Sequence, residues 1–287
     1  MPLGGTLVAV LLLSATTAFL WLVLVIITYA FCIAPIMPLV DNSAVDLLGE
    51  RKDQYGKLRL WGALGWGVAA PLLGWLVERA ELHWVFYGFI ILMFGGLVVA
   101  WRLPISQVSI GSKFWSGLRL MMTDWRWLVF SGAVLVGGIG SAMIGNYLFL
   151  YLDGLGAGET LMGFALTVAT VGELPVLFFS DRLLVRFGGR GLLLLSLLAY
   201  AVRALSYAFI QSPWLALPIQ LLHGPTFSGV MYGLGGTFGA LIGGVLYEDL
   251  GAALMYRWAG VGVLVGLVLF AFASSGLAGS KARRAAC

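Results

Sequence analysis

Charged residues are scarce in this chain. Only 10% of its 287 residues are Asp, Glu, Lys or Arg, whereas 61% are hydrophobic and the mean hydropathy is +0.98. An ordinary soluble domain is about 25% charged and roughly 45–50% apolar, so no soluble fold could bury this much apolar surface. Long apolar runs without strict alternation favour membrane helices over a β-barrel. The predicted fold class is therefore all-α, a polytopic transmembrane helical bundle.

Cysteine and histidine are rarer still, with two residues of each. Cys32 lies in an apolar run and Cys287 is the last residue, which excludes a disulfide framework. His83 and His223 have no Glu or His at ligand spacing, so we expect no metal site, no cofactor and no enzymatic activity. The net charge of +4 does not indicate a nucleic-acid partner, because the cations lie at the ends of apolar segments.

Glycine, in contrast, is abundant, at 40 of 287 residues. Membrane helices favour glycine because it lets backbones approach closely where no hydrophobic effect drives association. Gly235, Gly239 and Gly243 recur every four residues, and this spacing predicts a ridge for close contact with another helix.

The apolar segments predict nine or ten crossings of a bilayer core that is about 30 Å thick and needs about 20 helical residues per span. Residues 213–250 are too few for two full spans and a loop, so we expect 213–227 to be short and broken at Gly224-Pro225. The predicted spans outside this region are 5–19, 21–40, 60–77, 84–101, 127–152, 160–179, 190–210 and 252–276.

Clusters of Arg and Lys in alternate connections set the expected orientation. The positive-inside rule makes these connections cytoplasmic and places both termini inside. The predicted organisation is a truncated N-terminal helical lobe at 1–102, a cytoplasmic linker at 103–125, a C-terminal lobe at 126–277 and a cytoplasmic tail at 278–287. Within the linker, residues 112–122 are mildly amphipathic and should lie on the inner membrane surface.

Five ionisable side chains interrupt the apolar segments: Asp41, Arg59, Glu173, Arg203 and His223. A charge at membrane depth is costly, so chains keep such residues where they pair, face a water-filled cavity, or carry protons and substrates. The five residues therefore predict a polar pathway through the membrane. Arg203 cannot lose its proton and needs an acid or a hydrated cavity, and Glu173 is the candidate partner.

Several motifs resemble the major facilitator superfamily. The loop Asp181-Arg182-Leu-Leu-Val-Arg186-Phe-Gly188-Gly-Arg190 resembles the cytoplasmic loop signature of that superfamily. Residues 55–66 resemble the start of the fifth helix in its lactose permease and phenylpropionate permease branch, and 35–41 resemble the end of the fourth. Segments around Glu173, Arg203, His223 and 247–251 resemble later landmarks in the right order. The resemblance covers about residues 5–275 and implies a two-lobed bundle of helices.

The chain also departs from that branch, whose members have twelve helices. We expect the first two helices and part of the tenth–eleventh helix region to be absent, with the second gap near Phe227. The lactose permease-like pattern has a further Glu one turn after the His and a Lys one turn before it, where this chain has Thr226 and Gln220. An acidic pair of the seventh helix is missing from 141–152. Lactose is therefore not the expected solute.

The resemblance implies roles for individual residues. Asp41 and Arg59 would form a pair that contacts the solute, Trp66 would stack on it, and Glu173 would serve both substrate binding and proton coupling with Arg203 and His223. Each has a plainer alternative. The Asp41–Arg59 pair could tie a loop at the interface, Trp66 could face lipid, Glu173 could pair statically with Arg203, and His223 could be a satisfied core residue.

Two functions remain open at this stage. The first is a secondary active transporter that carries a small polar solute, such as a sugar, nucleoside or aromatic acid, together with H⁺ by alternating access. Its partners are then the solute, the proton and the lipid bilayer. The alternative is a truncated homologue that does not transport and acts as a scaffold or is an inert fragment.

Overall fold

The computed structural model describes residues 2–51, 54–79, 83–102, 114–226 and 234–285. Within these ranges the chain forms helices and no strand, which confirms the predicted all-α bundle. Short 3₁₀ segments occur at Pro213–Leu215 and Leu221–Thr226. The α-helices are α1 (Pro2–Ala15), α2 (Phe19–Ile33), α3 (Ile36–Leu48), α4 (Tyr55–Arg79), α5 (His83–Arg102), α6 (Phe114–Thr123), α7 (Trp125–Gly154), α8 (Glu159–Phe178), α9 (Ser180–Tyr207), α10 (Ala216–Gln220), α11 (Leu234–Leu250) and α12 (Ala252–Ala285).

Seven helical segments of the described chain are long and apolar enough to cross a membrane, fewer than the nine or ten predicted. The difference lies in three places. Helix α1 has only 14 residues, α11 has 17, and the His-bearing segment breaks into short turns from Leu221 onwards. The gap predicted near Phe227 lies outside the described residues, as do 103–113 of the predicted linker and the last two residues of the predicted tail.

Helices α2 and α3 join at a bend and form one long apolar unit, Phe19–Leu48. Pro35 separates them because proline has no N–H to continue the hydrogen-bond ladder. The predicted span ends at residue 40, but α3 continues to Leu48 and stops at Gly49, whose φ of 55° suits a helix terminator. Asp41 therefore lies inside a helix and not at its end.

The buried core belongs to the second half of the chain. Its residues come from α7, α8, α9, α12 and the 207–216 connection, and they include the fully buried Tyr200, Tyr207 and Tyr256. The long helices α2–α3 and α5 contribute almost no buried residues. Helix α1 contacts both α2 and α5, and Tyr29 of α2 lies against Phe89 of α5. Among the described residues of the first half, α4 makes the extensive contact with the second half. The domain limits inferred from the sequence stay a prediction.

Two glycine-lined contacts fix the helices against each other. The predicted ridge Gly235, Gly239, Gly243 is confirmed, because it packs on α7. A Cβ at Gly235 would come within 2.8 Å of Gly138 Cα, and one at Gly243 within 2.7 Å of the Tyr147 ring. Such close packing replaces the hydrophobic drive that is absent inside a bilayer.

The second contact joins α4 to α8 in antiparallel fashion along their whole length. Near one end, a Cβ at Gly56 would meet the carbonyl of Leu177 at 2.7 Å. Midway, Thr167 donates its hydroxyl to the Gly67 carbonyl at 2.9 Å. Towards the other end, Gly163 lies against Ala70 and Pro71. Only small residues allow this backbone approach.

Helix α8 also touches the His-bearing segment through backbone. A Cβ at Gly172 would come within 2.5 Å of the Leu221 carbonyl, and one at Gly224 would overlap the carbonyl of Gly172. The residues next to these glycines are Glu173 and His223. The crossing therefore places both functional candidates at one junction of α8 with 221–226.

The packing predicts a stability effect for Gly163→Ala. The new methyl group would lie 2.8 Å from Ala70 O and Pro71 Cα, and such overpacking costs about 1–3 kcal/mol of unfolding free energy. We expect a lower thermal unfolding midpoint in detergent. Gly95→Ala on α5 is the control, because its Cβ meets nothing within 4 Å. Equal midpoints for the two variants would contradict the α4–α8 contact.

Candidate functional site

Asp41 and Arg59 form an ion pair between α3 and α4. The Arg59 guanidinium donates from Nη1 to Asp41 Oδ2 at 3.3 Å and to the Tyr55 hydroxyl at 3.1 Å. Tyr55 lies one turn before Arg59, so the two side chains share a helix face. The side chains of Arg59 and Asp41 remain 29% and 38% exposed, which leaves room for a ligand to reach both.

Glu173 lies on α8, opposite α4, and is partly buried. The positive charge of the Arg59 guanidinium attracts the Glu173 carboxylate electrostatically. Its carboxylate forms no ion pair within 4 Å in the part of the chain that the structure describes. The α4–α8 contact thus brings Asp41, Arg59 and Glu173 from three helices into one acidic–basic cluster, which we call the Arg59 cluster.

Arg203 belongs to a different group. It is only 5% exposed, contacts His223 Nδ1 from Nη1 at 2.9 Å, and donates from Nη2 to Gln220 Oε1. Its Cζ lies 5.8 Å from the centre of the Tyr207 ring. The predicted partner was Glu173, but the structure gives Arg203 two neutral acceptors on the His-bearing segment. We call Arg203, Gln220, His223 and Tyr207 the Arg203 cluster.

The contact with Arg203 defines the protonation of His223 in this state. A guanidinium carries donors only, so Nδ1 must accept and the ring proton must sit on Nε2. His223 is therefore neutral here, because a doubly protonated ring has no acceptor at Nδ1. Any proton arriving at Nδ1 would have to break the contact with Arg203.

Trp66 is 62% exposed on α4. A Cβ at the neighbouring Gly62 or Gly65 would meet nothing within 4 Å, so this part of the helix surface is open. Stacking of Trp66 on a solute stays a prediction.

The loop signature forms the first turns of α9. Gly188 interrupts the helix with φ 63° and ψ 170°, a region that only glycine occupies readily. Arg182 and Arg186 stack near the rings of Phe179 and Phe187, and Arg190 donates to the Ala271 carbonyl at 3.4 Å. Asp181 stands in the first turn, where a negative charge suits the helix dipole.

Sequence reasoning missed the tyrosines of both clusters. Tyr55 and Tyr207 each stand four residues from an intramembrane arginine, and this spacing was the signal that could have revealed them. Gln220 was noted only as a replacement, although it holds one arm of Arg203. Among the described residues, no group of three His, Cys, Asp or Glu side chains could hold a metal ion.

Seven apolar spans and two charged clusters between helices define an integral, multi-pass membrane protein. Residues 5–230 match the sequence model of the MFS_1 like family. The chain therefore belongs to this family, within the major facilitator superfamily.

Similar proteins carry permease and transporter names. The chain is 29% identical over 264 residues to the maltose permease of Geobacillus stearothermophilus, covering 82% of this chain and 66% of that protein. It is 25% identical over 308 aligned positions to the major facilitator superfamily domain-containing protein 6-like protein A of Xenopus laevis, and the alignment covers 92% of this chain and 50% of that protein. It is 29% identical over 217 residues to the probable 3-phenylpropionic acid transporter of Escherichia coli K12, and the alignment covers 72% of this chain and 56% of that protein. The chain thus spans about half to two thirds of these relatives.

The Asp41–Arg59 pair can be tested by a double-mutant cycle with Asp41→Ala and Arg59→Ala. Because both side chains are partly exposed, we expect a coupling of about 0.5–1 kcal/mol in the free energy of unfolding. The control cycle combines Asp41→Ala with Arg79→Ala at the other end of α4, where Arg79 stacks on Trp75, and its effects should add. Additive effects in the first cycle would show that the pair contributes nothing.

Proposed function

We propose that the protein is a secondary active transporter that moves a small polar solute together with a proton by alternating access. The Arg59 cluster binds the solute: Asp41, Arg59 and Glu173 offer charged donors and acceptors, and Trp66 offers a ring surface. Glu173, Arg203 and His223 handle the proton. The observation that carries this proposal is the convergence of Asp41, Arg59 and Glu173 from three separate helices at the α4–α8 contact.

The chemistry of each group supports its role. Carboxylate and guanidinium groups make the strongest directional hydrogen bonds to polar solutes. Glu173 lies inside α8, five residues before its end at Phe178, and a carboxylate within a membrane span can exchange protons with a coupled solute. Neutral His223 can accept a proton at Nδ1 only when its bond to Arg203 opens.

The solute class proposed is a sugar, a nucleoside or an aromatic acid. The names of two relatives, maltose permease and probable 3-phenylpropionic acid transporter, fall in this range. We further propose that both termini face the cytoplasm, that residues 1–102 and 126–277 are the two lobes, and that the loop signature with Asp181, Arg182, Arg186, Gly188 and Arg190 lies on the cytoplasmic side between α8 and the main part of α9.

Uptake into proteoliposomes tests the proton role of Glu173. The panel of solutes is radiolabelled maltose, uridine and 3-phenylpropionate, supplied under an imposed inward proton gradient. We expect the wild-type protein to accumulate one of them uphill. Glu173→Gln should reduce that accumulation at least tenfold, because the amide cannot release a proton, while some downhill exchange of the solute persists.

Glu248→Gln is the matched control, because Glu248 is an exposed acid near the end of α11. This variant should accumulate the solute as the wild type does. Pretreatment of the liposomes with a protonophore should abolish uphill uptake by both the wild type and the control. Full gradient-driven accumulation by Glu173→Gln would refute the coupling role.

A non-transporting homologue is the second candidate. It is favoured by the very low burial of α2–α3 and α5 and by the exposure of the Asp41–Arg59 pair, which together suggest an incomplete wall around the site. Cross-linking in liposomes would show whether a second copy covers this face. A folded protein that neither accumulates nor exchanges any solute of the panel would favour the scaffold.

A further inference from the structure

Tyr55 stands between the two charges of the Asp41–Arg59 pair. Its hydroxyl accepts a hydrogen bond from Arg59 Nη1 at 3.1 Å, and the same nitrogen donates to Asp41 Oδ2 at 3.3 Å. The Tyr55 hydroxyl is also a hydrogen-bond partner of the Asp41 carboxylate. Because an ionised carboxylate can only accept, the hydroxyl donates its one proton to Asp41 while it accepts from Arg59. The hydroxyl therefore closes a ring of hydrogen bonds among three side chains.

The guanidinium of Arg59 uses only one of its three nitrogens in this ring. A guanidinium carries five N–H donors on Nε, Nη1 and Nη2, and both hydrogen bonds of Arg59 within the described chain come from Nη1. Nε and Nη2 are nevertheless not among the buried side-chain atoms that lack a partner, whereas Nε of Arg203 is. The Arg59 side chain is 29% exposed. Its Nε and Nη2 are therefore donors that a ligand can reach.

Neither acid of the Arg59 cluster occupies this second edge of the guanidinium. Glu173 acts on Arg59 through its charge and forms no ion pair within 4 Å among the residues that the structure describes. Asp41 is engaged at Nη1. The edge formed by Nε and Nη2 presents two parallel N–H donors, and this geometry matches the two oxygens of a carboxylate. The free edge thus suits an acid better than a single hydroxyl.

The backbone of Tyr55 is held firmly by the packing of its neighbour. Tyr55 is the first residue of α4, and a Cβ at the next residue, Gly56, would lie 2.7 Å from the Leu177 carbonyl of α8. Tyr55 also stands one turn before Arg59 on the same helix face. A hydroxyl on such an anchor can hold a long arginine side chain in one orientation. The contact with Asp41 through one nitrogen leaves the guanidinium free to rotate.

We propose that Tyr55 is a positioning residue for an acidic solute: it holds Arg59 Nη1 at Asp41 and so leaves Nε and Nη2 for the carboxylate group of the solute. Without the hydroxyl, the guanidinium can turn its two-donor edge towards Asp41, and the carboxylate of the protein then competes with that of the solute. The proposal rests on the Arg59 cluster being the solute site, and it narrows the solute to an organic acid. It concerns binding, so it holds for a chain that does not transport.

Equilibrium dialysis of the purified full chain in detergent at neutral pH tests the role of Tyr55. The ¹⁴C-labelled probes are two pairs, each an acid with its neutral counterpart: 3-phenylpropionate with 3-phenylpropan-1-ol, and glucuronate with glucose. We expect the wild type to bind the acid of at least one pair about tenfold more tightly than the neutral probe, because only the acid fills both donors. Tyr55→Phe should remove most of this preference.

The preference for the acid is measured because a general structural defect would weaken the binding of both probes alike. Arg59→Lys should lower the preference as well, since an ammonium group keeps the charge but has no two-donor edge. Tyr29→Phe is the matched control. It removes the hydroxyl of another partly buried membrane tyrosine, whose ring centre lies 6.3 Å from that of Phe89, and it should leave the preference unchanged. The elution volume in gel filtration confirms that each variant is folded.

Two results would overturn the proposal: the same acid preference in Tyr55→Phe as in the wild type, or a wild type that binds neither acid more tightly than its neutral counterpart. Dialysis applies no gradient, so these results are independent of the uptake assays. Uphill uptake together with an unchanged preference would leave the transport function standing without a role for Tyr55. An acid preference that depends on Tyr55 in a chain without uptake would support the positioning role and count against transport.

Discussion

The close antiparallel contact of α4 with α8 is the constraint on which the site depends. Gly56, Gly67 and Gly163 let the two backbones approach where side chains would hold them apart. In a bilayer such packing and interhelical hydrogen bonds drive association, because lipid is as apolar as the helices are. The contact brings Arg59 on α4 close to Glu173 on α8, although 113 positions separate them in the chain. A larger residue at any of the three glycines would weaken both the bundle and the meeting of the charges.

The charges of the interior fall into two clusters, and the second contact of α8 connects them. Glu173 follows Gly172, which lies against Leu221 of the His-bearing segment. On that segment Gly224, the neighbour of His223, lies against the carbonyl of Gly172. One short stretch of α8 therefore touches α4 through one face and the His-bearing segment through another. A movement of α8 relative to either neighbour would change the distance of Glu173 from both arginines. This geometry suits a protein whose two halves rock against each other.

The sequence predicted what depends on local pattern. The small-residue ridge of α11 and the membrane helices follow from spacing and composition. The pairing of Asp41 with Arg59 was implied by the resemblance to the lactose permease branch, and the structure forms this ion pair. Two features did not follow. Asp41 was placed at the end of a span, because Asn42, Ser43 and Asp46 give 41–48 the polarity of a loop, yet the helix continues through them. Glu173 was paired with Arg203, because both were expected in the middle of predicted spans. In the structure the charge that acts on Glu173 is that of Arg59, and the antiparallel contact of α4 with α8, which the sequence does not reveal, is what brings these two helices together.

The charges of the two clusters bear on which solute could travel together with a proton. Ionised Asp41 and Glu173 with Arg59 carry a net charge of −1, and Arg203 with neutral His223 carries +1, so the two clusters together are neutral. A proton on Glu173 alone would leave the interior with a net positive charge, which is costly at membrane depth. In the proposed transport cycle, a solute in the Arg59 cluster would therefore have to offset that charge. A solute with one negative charge, such as an aromatic acid, does so, whereas a neutral sugar would leave the protonated complex positive.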